Sequence, residues 1–236
     1  GSNETSLMNI TNAYAMLVNG GKKIIPTFID RIQDRHGRTV FRHDQRSCSG
    51  CIVDSWKGGF APQIRDTREK IADSTSAYQI VAMLEGVVER GTGRRIKSVK
   101  KPLAGKTGTT NNERDTWFIG FSPDLTVGVY VGFDIPISLG RNETGSSVSA
   151  PIFRDFMALA LSNKPAIPFR IPPGVRMVRI NSKTGKLARI GDKDVILEAF
   201  KLGTEPTGQS EILVGESWSP SGTGVVTPKS GTGSLY

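Results

Sequence analysis

Leu103-Ala104-Gly105-Lys106-Thr107-Gly108-Thr109-Thr110-Asn111-Asn112-Glu113-Arg114-Asp115-Thr116-Trp117-Phe118-Ile119-Gly120-Phe121 is the stretch whose reading decides the fold. Apolar segments at 103–107, 116–121 and 127–133 are parted by turn-rich spacers at 110–113 and 122–124, a hairpin spacing that predicts an antiparallel three-stranded unit. A lysine and two hydroxyls within one short strand can cradle an anion. Lys106 supplies charge, Thr107 and Thr109 supply donors, and Gly108 has no side chain to block a substrate backbone. The tripeptide alone does not carry this reading. Asn181-Ser182-Lys183-Thr184-Gly185-Lys186 repeats it between Val178-Arg179-Ile180 and Leu187-Ala188, where it reads as a hairpin turn.

Working outward, apolar Leu7, Met8, Ile10, Ala13, Tyr14, Leu17 and Val18 predict a core helix over 5–19, stopped by Gly20-Gly21. Residues 24–29 and 39–41 flank Asp34-Arg35-His36-Gly37 and predict a hairpin with His36 exposed in its turn. Residues 44–70 are polar and read as a loop excursion. A second helix is expected over 74–90, capped by Ser74, closed by Gly91, with Ile80, Val81, Leu84 and Val88 facing inward. A third is expected over 151–162, entered at Ser149 or Ala150. Beyond Pro165 come prolines and short hairpins, and a mobile low-complexity tail is expected over 219–236.

The 236 residues carry 37% hydrophobic side chains, enough to build a core, and a net charge of +9, which favours a polyanionic partner. The densest basic run, Arg94-Arg95-Ile96-Lys97-Ser98-Val99-Lys100-Lys101, has no interleaved aromatic and no nucleic-acid motif around it, so it reads as a solvated basic loop. No stretch approaches the roughly 20 apolar residues of a membrane span. No signal-peptide pattern opens the chain, so a soluble segment is expected, with any targeting signal upstream.

Cys48 and Cys51 are the only cysteines, in Ser47-Cys48-Ser49-Gly50-Cys51. A zinc site is poorly supplied, because His36 and His43 are the only histidines, and no metal is expected. A redox pair would sit at a helix start after a buried strand, and this pair sits in a polar loop. A structural disulfide is the reading that leads, provided the compartment is oxidising.

The run Gly105-Lys106-Thr107-Gly108-Thr109-Thr110, then 114–121, then Val129-Tyr130-Val131-Gly132, resembles the third-motif strand of class A penicillin-binding proteins and the strands after it. Residues 11–21 and 83–93 are similar to that family's helices before the strand, and the likeness extends over residues 5–160, with an echo in 199–206. The resemblance implies an α+β fold of the serine D,D-transpeptidase and β-lactamase type. Its antiparallel sheet is flanked by helices, and three of its five strands would be present here. Residues 1–165 would form the C-terminal portion of the transpeptidase domain, with an excursion at about 22–70, and residues 166–236 an extension of hairpins and tail.

The same resemblance implies acyl transfer. A serine, three residues before a lysine, attacks the carbonyl of a D-alanyl-D-alanine stem peptide, and the amine of a second stem peptide releases the acyl group as a cross-link. β-Lactams would enter as mimics. Lys106 would supply positive field, Thr107, Gly108, Thr109 and Thr110 would bind substrate, and the Thr109 amide would be an oxyanion donor. Trp117 and Arg114 fall beside the groove by motif position, and fit equally a buried indole and a solvated guanidinium.

Ser98-Val99-Lys100-Lys101 has the serine–lysine spacing in the wrong order, and Ser162-Asn163-Lys164 ends a helix far downstream. The nucleophile is therefore expected upstream, and this segment alone is expected to be inactive. Its open sheet edge would meet the missing N-terminal half of the domain or a second copy in a homo-oligomer. Peptidoglycan and β-lactams are the partners implied, with no cofactor and no nucleic acid. The parent would work in the periplasm, tethered to the inner membrane by an upstream helix, which suits a Cys48–Cys51 disulfide. The alternative is a noncatalytic peptidoglycan- or protein-binding module that keeps the strand.

Overall fold

The computed structural model describes residues 4–46, 48, 51, 55, 58–60, 62 and 64–207. The tail expected to be mobile lies outside them. Helix α1, Leu7–Val18, begins where the Ser6 hydroxyl accepts the Asn9 amide at 3.1 Å, one of the donors a helix start leaves unpaired. It ends at Gly20 and Gly21, both in the left-handed region, with φ of 75° and 77°. Expected as a core helix, α1 buries none of its residues fully. Tyr14 and Val18 pack against the core, while Met8 is exposed and Leu7, partly exposed, lies beside Gly128.

Gly21 closes the excursion. Its carbonyl accepts the amides of Ile71 at 2.8 Å and Ala72 at 3.1 Å, and Lys22 bridges Lys70. Inside the excursion, β1 (Arg31–Gln33) pairs antiparallel with β2 (Thr39–Arg42). The first strand was expected at 24–29 and lies later. Asp34 nucleates the turn by accepting the amides of His36 at 2.8 Å and Arg38 at 3.0 Å, so pairing starts flush with it, whereas Pro26 has no N–H for a ladder. His36 is exposed in the turn, as expected.

Helix α2 spans Ser74–Arg90, and its cap is Asp73 rather than Ser74. The Asp73 carboxylate accepts the Ser76 amide at 3.2 Å and places a negative charge at the positive end of the helix dipole, which a serine hydroxyl cannot do. Ala77, Tyr78, Val81 and Val88 turn inward. Ile80, expected with them, is 40% exposed on a face shared with Met83. The basic run after α2 is a 3₁₀ turn, Arg94–Val99, and not a free loop. Ile96, its one fully buried side chain, plugs the core among charged neighbours that stay in water.

Strands β3 (Ala104–Thr109), β4 (Asp115–Phe121) and β5 (Thr126–Gly132) form an antiparallel sheet in that order. Alternation gives it two faces. One face, with Phe118, packs on Phe153 and Met157 of α3 (Ala150–Ala160); the Phe118 and Phe153 ring centroids are 4.8 Å apart. The other carries Phe121, packed with Tyr78, Val81 and Tyr14. Thr116 and Ser149, both fully buried, satisfy each other through a 2.8 Å hydroxyl pair.

After α3, β6 (Val175–Asn181) and β7 (Val195–Lys201) form a hairpin. Ala199 and Phe169 join the core cluster of Tyr78, Val81 and Phe121, and Gln79 donates to the Ala199 carbonyl at 3.0 Å. The hairpin is thus packed onto α2. The second Lys-Thr-Gly lies in its turn, where the Asn181 side chain accepts the amides of Lys183 at 3.0 Å and Thr184 at 3.2 Å. No helix among the described residues is long and apolar enough to cross a membrane.

Candidate functional site

Strand β3 pairs on one side with β4, in the register Lys106↔Ile119, Thr107↔Phe118, Gly108↔Trp117 and Thr109↔Thr116. No strand among the described residues covers its other side. Lys106 and Gly108 therefore project to one face, and Thr107 and Thr109 to the other. Lys106 is exposed and makes no ion pair among the described residues; its ammonium lies 3.1 Å from the Thr107 carbonyl and 3.4 Å from the Thr107 hydroxyl. A cation that is not neutralised by a carboxylate remains available to an incoming anion.

Two segments brace the strand. The loop after α2 brings the Thr92 hydroxyl to 2.9 Å from the Thr107 hydroxyl. The π-type turn Gly145–Ser149, which leads into α3, brings the Gly145 amide to donate to the Thr109 hydroxyl at 3.0 Å. Ser146 ties the two together by donating to the Thr92 carbonyl at 2.8 Å. The turn is stable because Thr144 and Ser147 cap each other, the Ser147 hydroxyl accepting the Thr144 amide at 2.7 Å and the Thr144 hydroxyl accepting the Ser147 amide at 3.3 Å.

A hydroxyl has one proton and two lone pairs. Because the Gly145 amide fills a lone pair of Thr109, the Thr109 proton stays free to be donated. Gly145 must be glycine for this approach, since a Cβ would stand 2.6 Å from the carbonyl oxygens of both Gly108 and Trp117. Thr110 stands apart from this row. Its hydroxyl accepts the Asp115 amide at 2.8 Å and its own amide donates to the Asp115 carbonyl at 3.0 Å, so it closes the β3–β4 turn. That turn holds Asn112 and Glu113 at φ of 60° and 48°, left-handed without being glycine.

Trp117 is half-buried below Gly108, with its ring centroid 4.6 Å from that of Tyr130, and Arg114 is exposed. The Tyr130 hydroxyl donates to Asp115 at 2.9 Å, and that hydrogen bond raises the phenol's pKa above its ordinary value. Thr92, Gly145 and Ser146 escaped the sequence reading. Only Gly91 reads as the helix stop, although a hydroxyl between two glycines, where the Gly93 amide folds back to the Val87 carbonyl at 3.0 Å, is a signal of tight packing.

Elsewhere, Cys48 and Cys51 are joined within the excursion, with Cα atoms 5.5 Å apart. A cleft of about 590 Å³ opens between α1, α2 and residues 167–173, lined by Tyr78, Val81, Phe169, Asp66 and Arg68 among others. Its carboxylate is already engaged: Asp66 pairs with Lys22 at 2.6 Å and Arg68 at 2.8 Å. The hydrogen bond from Arg68, followed by that from Lys22, holds the acid far below its usual range. Among the described residues that line the cleft, Asp66 is the one carboxylate, and it is engaged.

Residues 2–158 match the family described as the penicillin binding protein transpeptidase domain. Penicillin-binding protein 1A of Rickettsia conorii is 42% identical over 216 residues, which cover 91% of this chain and 27% of that protein. The protein of the same name from Pseudomonas aeruginosa is 33% identical over 238 residues, covering 88% and 29%. The crystal structure of penicillin-binding protein 1A from Haemophilus influenzae superposes with a TM-score of 0.69 at 28% identity, over 86% of this chain and 33% of that one. The chain thus spans less than a third of the length of the relatives it matches.

Proposed function

Because the chain belongs to the penicillin-binding protein transpeptidase domain family, we propose that it forms the Lys-Thr-Gly wall of a peptidoglycan D,D-transpeptidase that also binds penicillin. The observation that carries this reading is the state of β3 among the described residues: an edge no strand covers, a Lys106 without an ion pair, and a Thr109 hydroxyl that accepts the Gly145 amide and donates to nothing. A stem peptide ends in a carboxylate, which only accepts hydrogen bonds. Thr107 and Thr109 would donate to it, Lys106 would supply the field, and Gly108 would let the peptide lie against the strand. Thr110 would act by holding the turn. The Thr109 amide would face the oxyanion as it develops.

In this reading the serine comes from a part of the protein outside these residues. Its oxygen forms an ester with the penultimate D-alanine carbonyl while terminal D-alanine leaves with a proton. The amine of a second stem peptide then attacks the ester carbonyl, forming the amide cross-link as the serine C–O bond breaks and the amine's proton passes to the serine oxygen. The division into residues 1–165 as transpeptidase and 166–236 as extension belongs to the same proposal, as does placement in the periplasm, where a Cys48–Cys51 disulfide would persist.

The test is covalent labelling by a fluorescent penicillin of this chain and of the full-length protein. Labelling of the longer form alone is expected. If the full-length protein takes no label while remaining folded, the noncatalytic module replaces this reading; the one Ser-x-x-Lys before β3, Ser98 to Lys101, runs from the 3₁₀ turn into the connector just ahead of the strand.

A further inference from the structure

We infer that Thr92 is a positioning residue that sets the direction of the Thr107 hydroxyl and thereby tunes the site for an anionic carboxylate. The inference rests on the reading of β3 as a carboxylate-binding wall. The two hydroxyl oxygens lie 2.9 Å apart, so one must donate to the other. Thr107 has a single proton, and a carboxylate can only accept. If Thr107 donated to Thr92, it would have nothing to offer the ligand. If Thr92 donates to Thr107, the proton of Thr107 is released toward the ligand, and its oxygen, polarised by Thr92 and by the Lys106 ammonium 3.4 Å away, becomes the better donor.

The surroundings hold Thr92 to this role. Its carbonyl is pinned by the Ser146 hydroxyl at 2.8 Å, so its side chain approaches Thr107 from a fixed backbone. Thr109 is oriented in the same sense by the Gly145 amide, which fills a lone pair and leaves the proton outward. The two threonines of β3 are thus both primed as donors, from two segments joined to each other through Ser146. The site would distinguish a ligand bearing a free carboxylate from its neutral ester, because the ester cannot hold two charge-assisted hydrogen bonds.

The experiment compares acylation of the full-length protein by benzylpenicillin and by its methyl ester, in the parent, Thr92→Val and Thr92→Ser. Thr92→Val should slow acylation by the free acid about ten- to hundredfold, the worth of one hydrogen bond to a charged group, while the ester loses about twofold or less. Thr92→Ser, which keeps the hydroxyl, should restore the preference. Equal losses for acid and ester, or no loss, would overturn the inference. If the parent itself is not acylated, the functional reading fails. The inference is then decided by methyl NMR of Thr107 in the same protein: one χ1 rotamer in the parent and averaging in Thr92→Val would support it, and an unchanged Thr107 would sink it.

Discussion

Replacing Gly145 by alanine adds one methyl group at the point where the turn into α3 lies on β3. The new Cβ would stand 2.6 Å from the carbonyl oxygens of Gly108 and Trp117 and 3.0 Å from the Gly108 amide nitrogen. All three are backbone atoms of paired strands, so no side chain can swing aside, and the turn must lift. Overpacking of this kind costs about 1–3 kcal/mol. Lifting also stretches the 3.0 Å bond from the Gly145 amide to Thr109, worth about 0.5–1.5 kcal/mol. Alanine returns at most about 1 kcal/mol through its better helical propensity, leaving a net loss of about 2 kcal/mol. With a urea m-value of about 3 kcal/mol/M the unfolding midpoint falls by roughly 0.7 M. Gly59→Ala, where a Cβ meets nothing within 4 Å, is the control and should leave the midpoint in place. Urea titration followed by tryptophan fluorescence reads both. A Gly145→Ala midpoint within about 0.1 M of the parent would refute the contact and the brace built on it.

Thr116→Val leaves the fully buried Ser149 hydroxyl without its partner and should destabilise the chain by about 1–3 kcal/mol, whereas Thr116→Val combined with Ser149→Ala should recover much of that loss; a double variant no better than the single one would contradict the pairing. The Asp73 carboxylate is held below its ordinary pKa by the Thr75 hydroxyl first and then by the Ser76 amide. A depressed folded-state pKa means that the contribution is present above the unfolded value of about 3.9 and is lost as pH falls toward the folded one. The gap between the unfolding midpoints of Asp73→Asn and the parent should therefore be full at pH 7 and shrink steadily as pH falls below about 4, and a gap that widens on acidification would reverse the sign. Thiol titration of the unreduced, denatured protein should find neither Cys48 nor Cys51 reactive, and two free thiols per chain would remove the disulfide.

Much of the central sheet was legible in the sequence because each strand is short, apolar and bounded by turn residues. Gly91 after α2, Gly20-Gly21 after α1 and the turn around Gly185 were legible for the same local reason. Errors came where propensity met context. Residues 24–29 have strong strand character, but Asp34 fixes the turn and the pairing begins beside it. Ile80 fits the apolar periodicity of α2, yet β3 and the C-terminal hairpin pack on the faces bearing Ala77, Tyr78 and Val81. Ile96 looked like one apolar residue in a basic loop, and its burial pulls that run into a 3₁₀ turn.

The sequence by itself determined that a Lys-Thr-Gly strand stands at the head of a three-stranded antiparallel unit, and that its second copy at 183–185 is a turn. Both follow from neighbours within a few residues, where hydrogen bonding and steric limits act directly on the chain. Tertiary structure alone decided what the strand can do. Thr92 lies 15 residues before Thr107, Gly145 lies 36 after Thr109, and Ser146 lies 54 after Thr92. Their contacts exist only because α2 and α3 pack on opposite faces of one sheet, bringing hydroxyls and an amide within hydrogen-bond reach. A hydroxyl's proton takes its direction from such partners, and no local pattern of residues records it.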